Sequence, residues 1–290
     1  VNSCKLLIGM PVFNGEKEVG RAIESIRNQT FGDFKLLIFD NCSNDNTGKI
    51  CQDYAKADSR IYYVRHPINL GAHRNFMSLV EHADAPYFMW AAVDDVRTPE
   101  YLEVNITYLE SHPECVASTS PNCFEGEEDD PTCHIDFSIF GSLGNRMCQI
   151  LDNCWNSHAI FYSVMRADII KNCDVPNHPF LGFDWAINLF LAKNGNINRT
   201  DKGLLILGRK GISNNGNIWR MFRKSTIHWI APFYDFSLYY LSNIAKIPIE
   251  ERINIIINII KLNISSAYHQ LYSEIFPYYL SYIRPLIKRK

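Results

Sequence analysis

The sequence predicts an α/β protein built on a doubly wound, mostly parallel sheet flanked by helices. Three observations predict it. From Lys5 to Thr119, apolar runs of strand length alternate with helical patterns across short loops, the signature of a sheet wound by strand–helix units. Those runs are near-continuously apolar, as in Phe34-Lys35-Leu36-Leu37-Ile38-Phe39, which suits parallel strands covered on both faces. One run, Tyr87-Phe88-Met89-Trp90, leads into Ala91-Ala92-Val93-Asp94-Asp95. Two carboxylates therefore emerge at the carboxyl end of a strand, where open α/β sheets bind ligands.

The elements follow in order. Lys5 to Met10 is a strand stopped by Pro11-Val12-Phe13-Asn14-Gly15, whose proline and glycine end regular pairing. Val19, Ala22, Ile23 and Ile26 recur at helical spacing between Glu16 and Asn28. Phe34 to Phe39 is the second strand, and it ends in the turn-rich Asp40-Asn41-Cys42-Ser43-Asn44-Asp45. A helix over about Thr47 to Ala57 and a strand over Ile61 to Val64 come next, then the loop Asn69-Leu70-Gly71 opens a helix to Glu81. Past the acidic pair, Pro99 to Ser111 reads as a helix and Cys115 to Thr119 as a strand. Periodicity fades from Asn122 to Asn145, and the acidic run Glu125 to Asp130 reads as a solvated loop. His158 to Val164 reads as a strand, Phe180-Leu181-Gly182-Phe183-Asp184-Trp185 as the opening of a helix that runs to about Lys193 and is closed by Asn194-Gly195, and Leu204 to Leu207 as a strand.

From Ile218 the chain turns aromatic, helical and basic, so the division expected is 1–217 for the sheet domain and 218–290 for a helical C-terminal appendage. Trp219, Phe222, Trp229, Phe233, Tyr234, Tyr239 and Tyr240 crowd its start, and Tyr278-Tyr279 and Ile287-Lys288-Arg289-Lys290 close it. Two roles stay open for it: extra core with a homodimer face, or a peripheral membrane contact through amphipathic helices with aromatic and basic flanks. The stretch Ile253 to Ile264 is interrupted by Asn254, Asn258, Lys261 and Asn263, too short and polar for a membrane span. The first strand starts at Lys5 and no leader pattern precedes it, so a cytoplasmic protein, at most at the inner face of a membrane, is expected.

Bulk properties narrow the function. A chain of 290 residues can bury a full core. A net charge of -2 makes no case for nucleic-acid binding. Nine scattered cysteines without a Cys-x-x-Cys pair read as reduced thiols and not as a zinc site or disulfide framework. The first strand is followed by neither Gly-x-Gly-x-x-Gly nor Gly-x-x-x-x-Gly-Lys, against a dinucleotide-binding domain and a standard P-loop. Asp94-Asp95 itself admits two readings. Adjacent carboxylates are costly to bury unpaired, a cost that a divalent cation relieves. They also suit the start of the helix that Thr98-Pro99-Glu100 announces.

The order of the loops decides between them. Pro11-Val12-Phe13-Asn14, Arg21 to Gln29-Thr30, the strand ending at Asp40, Asp45, Asn69-Leu70-Gly71 with Arg74-Asn75, and Asp94-Asp95 together resemble the family 2 glycosyltransferases of GT-A fold. The resemblance covers roughly 5–120 and continues more weakly to about 215. It implies an inverting transfer of a sugar from a nucleotide-sugar, UDP-linked, to a hydroxyl of a glycan or lipid-linked glycan, as in bacterial surface polysaccharide assembly. It implies that Pro11, Val12, Phe13 and Asn14 line the nucleotide pocket and that Asp40 accepts the imide proton of uracil. Asn69 belongs to the same nucleotide site, Arg74 lies near base or diphosphate, Asp94 binds ribose, and Asp95 holds Mn²⁺ or Mg²⁺. In Gly182-Phe183-Asp184-Trp185, Asp184 resembles the family's general base; read alone, it is an ordinary helix-start acid.

The sequence departs from that family pattern at three places. Asn41 stands where a second acid is common, Ala92 replaces the first acid of Asp-x-Asp-Asp, and Leu207-Gly208-Arg209-Lys210-Gly211 lacks the expected His. Arg209 or Lys210 would then neutralise phosphates. Two other function classes remain as alternatives. A nucleotidyltransferase shares the sheet but opens on a Gly-rich, basic loop that Pro11 to Gly15 lacks. A degenerate nucleotide-sugar-binding module draws support from Ala92 and Asn41, and the retention of Asp95 with Asp184 opposes it.

Overall fold

A computed structural model describes residues 4–209 and 218–278. Its strands and helices run β1 (Leu6–Val12), α1 (Val19–Arg27), β2 (Phe34–Asp40), α2 (Thr47–Ala57), β3 (Ile61–Arg65), α3 (Ala72–Val80) and β4 (Tyr87–Trp90). There follow β5 (Val96–Arg97), α4 (Tyr101–Ser111), β6 (Cys115–Thr119), β7 (Asn122–Phe124), α5 (Leu143–Asp152), α6 (His158–Phe161), β8 (Val164–Arg166) and α7 (Ala167–Ile170). The chain closes with α8 (Phe183–Asn194), β9 (Asn196–Arg199), β10 (Leu205–Leu207), α9 (Ile218–Phe222), α10 (Ile227–Ile230), α11 (Tyr234–Ser242) and α12 (Ile249–Tyr278).

Seven strands form the main sheet in the order β3-β2-β1-β4-β8-β6-β9. The first four are mutually parallel, β6 and β9 are parallel, and β8 runs antiparallel between β4 and β6. The continuous apolarity of the central strands has a direct cause. Alternate side chains of a strand point to opposite faces. On β1, Leu6, Ile8 and Met10 join the core under α1 and α4, while Leu7 joins the core on the other face. On β4, Tyr87 and Met89 face one way, Phe88 and Trp90 the other. This is the mostly parallel, doubly wound sheet with C-terminal helices that the sequence predicts.

A second sheet of three short strands, β5-β10-β7, sits beside the main one. Its strands are two or three residues long, too short for period-two alternation to be visible. β10 pairs antiparallel with β5 and parallel with β7, which carries Gly208 back to the turn after β4.

One expectation fails. The run from His158, read as a strand, forms helix α6 before the short strand β8. Short apolar runs do not distinguish a buried strand from a buried helical turn, and here Ala159, Ile160 and Phe161 are buried on α6. Asn188 on α8 fixes the start of that turn by donating to the Ser157 carbonyl and hydroxyl, each at 3.0 Å. The elements α5, α7 and β9 were not anticipated either.

The helices from Ile218 onward add to the core of the sheet. Phe233, Phe236, Tyr239, Tyr240, Ile244, Ile247, Ile255 and Ile259 belong to the same buried cluster as Phe88 and Trp90. Helix α12 packs a partly polar face inward. Asn263 accepts from the Phe233 N–H at 3.0 Å and donates to Ser237 Oγ at 2.9 Å, and Glu274 is paired with Arg223. Tyr279 and the basic end Ile287-Lys288-Arg289-Lys290 lie outside the described residues.

Candidate active site

The loops at the carboxyl ends of β1 and β2 are laced together. The Asn14 N–H donates to Ser43 Oγ at 2.9 Å, Gly15 N–H to Thr47 Oγ1 at 2.8 Å, and Asn44 N–H to Asn14 Oδ1 at 3.0 Å. Asn14 holds a positive φ of 51°, a conformation asparagine tolerates better than most residues. Pro11 and Val12 are buried beneath this loop, whereas Phe13 is 47 % exposed and presents its ring outward. Asp40, at the end of β2, is fully buried. Its carboxylate accepts from the Ser43 N–H at 2.8 Å and the Tyr63 hydroxyl at 2.6 Å, with Arg65 at 3.4 Å. Both oxygens are thus engaged with protein, with one acceptor site of Oδ1 still open.

Asn41 organises the third loop. Its Nδ2 donates to Asn69 Oδ1 at 2.9 Å, and its Oδ1 accepts from the Leu70 N–H at 2.7 Å. Asn69 also accepts from the Gly71 N–H at 2.8 Å, so this side chain is spent on the turn that starts α3. Arg74, one turn into α3, is exposed.

Asp95 is 3 % exposed. One oxygen accepts from the Gly208 N–H at 3.0 Å, and the other, Oδ2, is buried without a hydrogen-bond partner. Burial, reinforced by the charge of Asp94 and opposed by Arg97, pushes its carboxyl up to about 6. Arg97 is itself buried, bonded to the Trp90 carbonyl at 3.3 Å. Asp94 is half-buried, and its carboxylate abuts Gly208 so closely that a Cβ there would lie 2.4 Å from Oδ2. Gly208 therefore bonds one acid and leaves room for the other.

Asp184 lies in the first turn of α8, behind the left-handed Gly182. Burial raises its carboxyl above the ordinary range, opposed by His158 across the gap to α6. The same burial lowers His158, whose Nδ1 is buried without a partner. Tyr162, just past α6, joins the two halves: its phenol is raised by burial and by the charges of Asp95, Asp94 and Asp184. Tyr162 thus feels the charge of all three acids, although Asp184 is remote from the others in sequence.

The family model "Glycosyl transferase family 2" matches residues 7–172, more than half of the chain. The chain belongs to glycosyl transferase family 2. Among curated relatives, a GalNAc(5)-diNAcBac-PP-undecaprenol beta-1,3-glucosyltransferase of Campylobacter jejuni is 30% identical over 92 residues, 31% of this chain and 30% of that protein. The chain spans about a third of the length of the first curated relatives it matches. Two solved structures share the fold. S. aureus TarS 1-349 in complex with UDP-GlcNAc matches with a TM-score of 0.61 at 16% identity, over 93% of this chain and 73% of that one. A mannosyltransferase from Pyrobaculum calidifontis, in complex with GDP-Man and Mn2+, matches with a TM-score of 0.58 at 11% identity, over 94% and 75%.

Within this family 2 domain, several participants were missed by reading the sequence. His158 and Tyr162 sat inside a stretch read as one strand, and Arg97 and Gly208 act through the small sheet. The acidic run is a surface loop as expected, with Asp129 and Asp130 exposed, and it is tied down by ion pairs of Glu125 with Arg21 and Glu127 with Arg209. Arg21 also donates to the Asp94 carbonyl at 3.2 Å. Arg209, expected to meet phosphates, donates to the Glu125 carbonyl at 3.0 Å and lies over the Phe124 ring. Lys210 lies outside the described residues.

Proposed function

We propose that this chain is an inverting, metal-dependent glycosyltransferase. It moves a sugar from a nucleotide-sugar, UDP-linked, to a hydroxyl of a glycan or lipid-linked glycan acceptor on the cytoplasmic side. The observation that carries the reading is the buried Asp95 carboxylate at the end of the turn after β4, one oxygen bonded to the Gly208 N–H and the other without a partner, in a fold whose neighbours hold UDP-GlcNAc and GDP-Man. The lipid-linked acceptor takes its support from the relative named for an undecaprenol-linked substrate. Residues 1–217 carry the nucleotide and the chemistry, and 218–290 form the extension.

The residues present fit a divalent cation. Asp95 Oδ2 is an orphaned, buried carboxylate oxygen with Asp94 beside it. Among the described residues no three His, Cys, Asp or Glu side chains gather into a metal cage. That agrees with Mn²⁺ or Mg²⁺ held by one or two carboxylates plus substrate phosphates and water. When bound, the ion offsets negative charge on the departing diphosphate.

The protein supplies the remainder. Pro11, Val12, Phe13 and Asn14 shape the nucleotide pocket, braced by the second loop. Asp40 and Asn69 set its base side, and Asp94 takes the ribose. Arg74 offers a guanidinium for forked bonds to anionic oxygens. Asp184 removes the proton from the acceptor hydroxyl as that oxygen attacks the anomeric carbon, opposite the leaving diphosphate. Attack from the opposite side inverts the configuration.

Calorimetry of UDP with Mn²⁺ tests the donor side. Asp95→Ala is expected to weaken Mn²⁺-dependent UDP binding at least tenfold. Affinity that is the same in both proteins, with and without chelator, removes the metal from this reading. A hydrolysis screen over UDP-, GDP- and dTDP-sugars tests the base.

A further inference from the structure

We infer that His73, His178 and Lys224 form a subsite for a phosphate group carried by the acceptor, next to the helix turn that holds Asp184. This rests on the reading of the chain as a glycosyltransferase and narrows its acceptor to one that bears phosphate.

Three separate stretches of chain bring these side chains together. His73 stands in the first turn of α3, His178 in the loop between α7 and α8, and Lys224 between α9 and α10. Lys224 Nζ lies 3.4 Å from His178 Nδ1 and donates to the Pro179 carbonyl at 2.7 Å. His73 Nε2 lies 3.1 Å from Oδ1 of Asn177, the residue before His178. The turn at 177–179 thus ties α3 to the chain that enters α10. The His73 ring meets the Phe183 ring edge-on at 4.3 Å, and Asp184 is the next residue. The cluster therefore borders the turn of α8 from which the acceptor would lose its proton.

Charge identifies what this corner takes. Burial lowers the His73 imidazole, and the charges of His178, Arg74 and Lys224 lower it further, so like charges are gathered within reach of one another. Elsewhere basic side chains meet carboxylates of their own: Lys5 pairs with Glu110, Lys193 with Asp174 and Arg60 with Asp58. Here Lys224 has Asp235 at 3.9 Å, and that carboxylate also faces His228 at 3.5 Å. An acid shared in this way leaves the corner positive. His178 and Lys224 are exposed, so an anion reaches them from solvent. Two imidazoles and an ammonium offer donors from three elements, which suits the several oxygens of a phosphate better than the two of a planar carboxylate. Among the described residues, the polar partners of His73, His178 and Lys224 are one another, Asn177, Pro179 and Asp235. None of these belongs to the loops after β1 and β2 or to the turn that carries Asp95, which separates this anion from the donor's diphosphate.

Calorimetry with inorganic pyrophosphate in EDTA tests the subsite on the full chain, because the chelator silences the metal-dependent donor site. The native chain is expected to bind pyrophosphate. The double variant His178→Ala, Lys224→Ala, with its fold verified by circular dichroism, is expected to bind it about tenfold more weakly or worse, the loss of charge-assisted bonds. Lys224→Arg keeps the charge and should retain binding. No binding by the native chain, equal binding by the double variant, or loss in Lys224→Arg as large as in the double variant overturns the inference. UDP with Mn²⁺ is titrated into the same proteins. The double variant is expected to bind it as the native chain does, and a matching loss there gives the cluster to the donor and overturns the inference too. Failure of the glycosyltransferase reading shows separately, in Asp95→Ala with UDP and Mn²⁺, because neither substitution of the double variant lies in the nucleotide site.

Discussion

At the scale of single residues, the site divides its carboxylates by environment. Asp40 is held by three protein donors, Asp95 is half-satisfied and buried, and Asp184 is partly buried and feels an imidazole. A general base contributes roughly 10²–10⁴-fold, so Asp184→Asn is expected to cut turnover by that factor while UDP affinity stays within a few-fold. Full turnover in that variant would remove Asp184 from the proton transfer. The pH dependence follows from the direction of its shift. A base must be ionised, and burial raises the pKa of Asp184. Turnover should therefore fall, as pH is lowered, at a higher pH than an ordinary aspartate would give. His158 opposes the shift, so His158→Gln should move the acid limb of kcat/KM further upward. A limb at the same pH in both proteins would show that His158 does not act on the base.

At the scale of elements, loop and strand order was readable while orientation and short pieces were not. The limits of α2, β4 and β6 coincide with the periodicity, because each is bounded by turn residues and covered by core. Leu204 to Leu207 reads as a strand and forms β10, but nothing in Val96-Arg97 announces its partner, since the two pair only after the chain has returned from far away. That Asp94 and Asp184 belong to one site is implied by the resemblance and not by spacing. The partners of the acids, Gly208 and His158, needed coordinates. Helix α12 shows the same limit: its apolar content is plain in the sequence, but the face turned to the core is chosen by Asn263 and Ser237. Asn263→Ala leaves the buried Phe233 N–H unpaired, a loss of about 1–3 kcal/mol. It should lower the melting temperature in calorimetry, whereas the exposed Ser265→Ala should leave it within error.

At the scale of the whole molecule, the helices from Ile218 onward share a core with the sheet. Phe236, Tyr240 and Ile247 are packed in the cluster that holds Trp90, Met147 and Trp185. A chain ending at residue 217 would expose that apolar surface, and large exposed patches drive association. Such a truncation is expected to be insoluble or to lack a cooperative melting transition. A sharp transition near that of the full chain would show that the sheet domain stands alone.

The reversed strand β8 has a consequence for the order in which the molecule can assemble. The parallel half, β3 to β4, is complete once Trp90 has been made, but β4 then has an open edge that only residues 164–166 close. The Gly208 N–H that seats Asp95 comes 113 residues after its partner. At the speed of synthesis in cells, that is a delay of roughly 6–23 s. During that interval Asp95 lacks the N–H that seats it; on the proposed reading, a nucleotide-sugar that bound early would wait for the last strand of the small sheet before transfer.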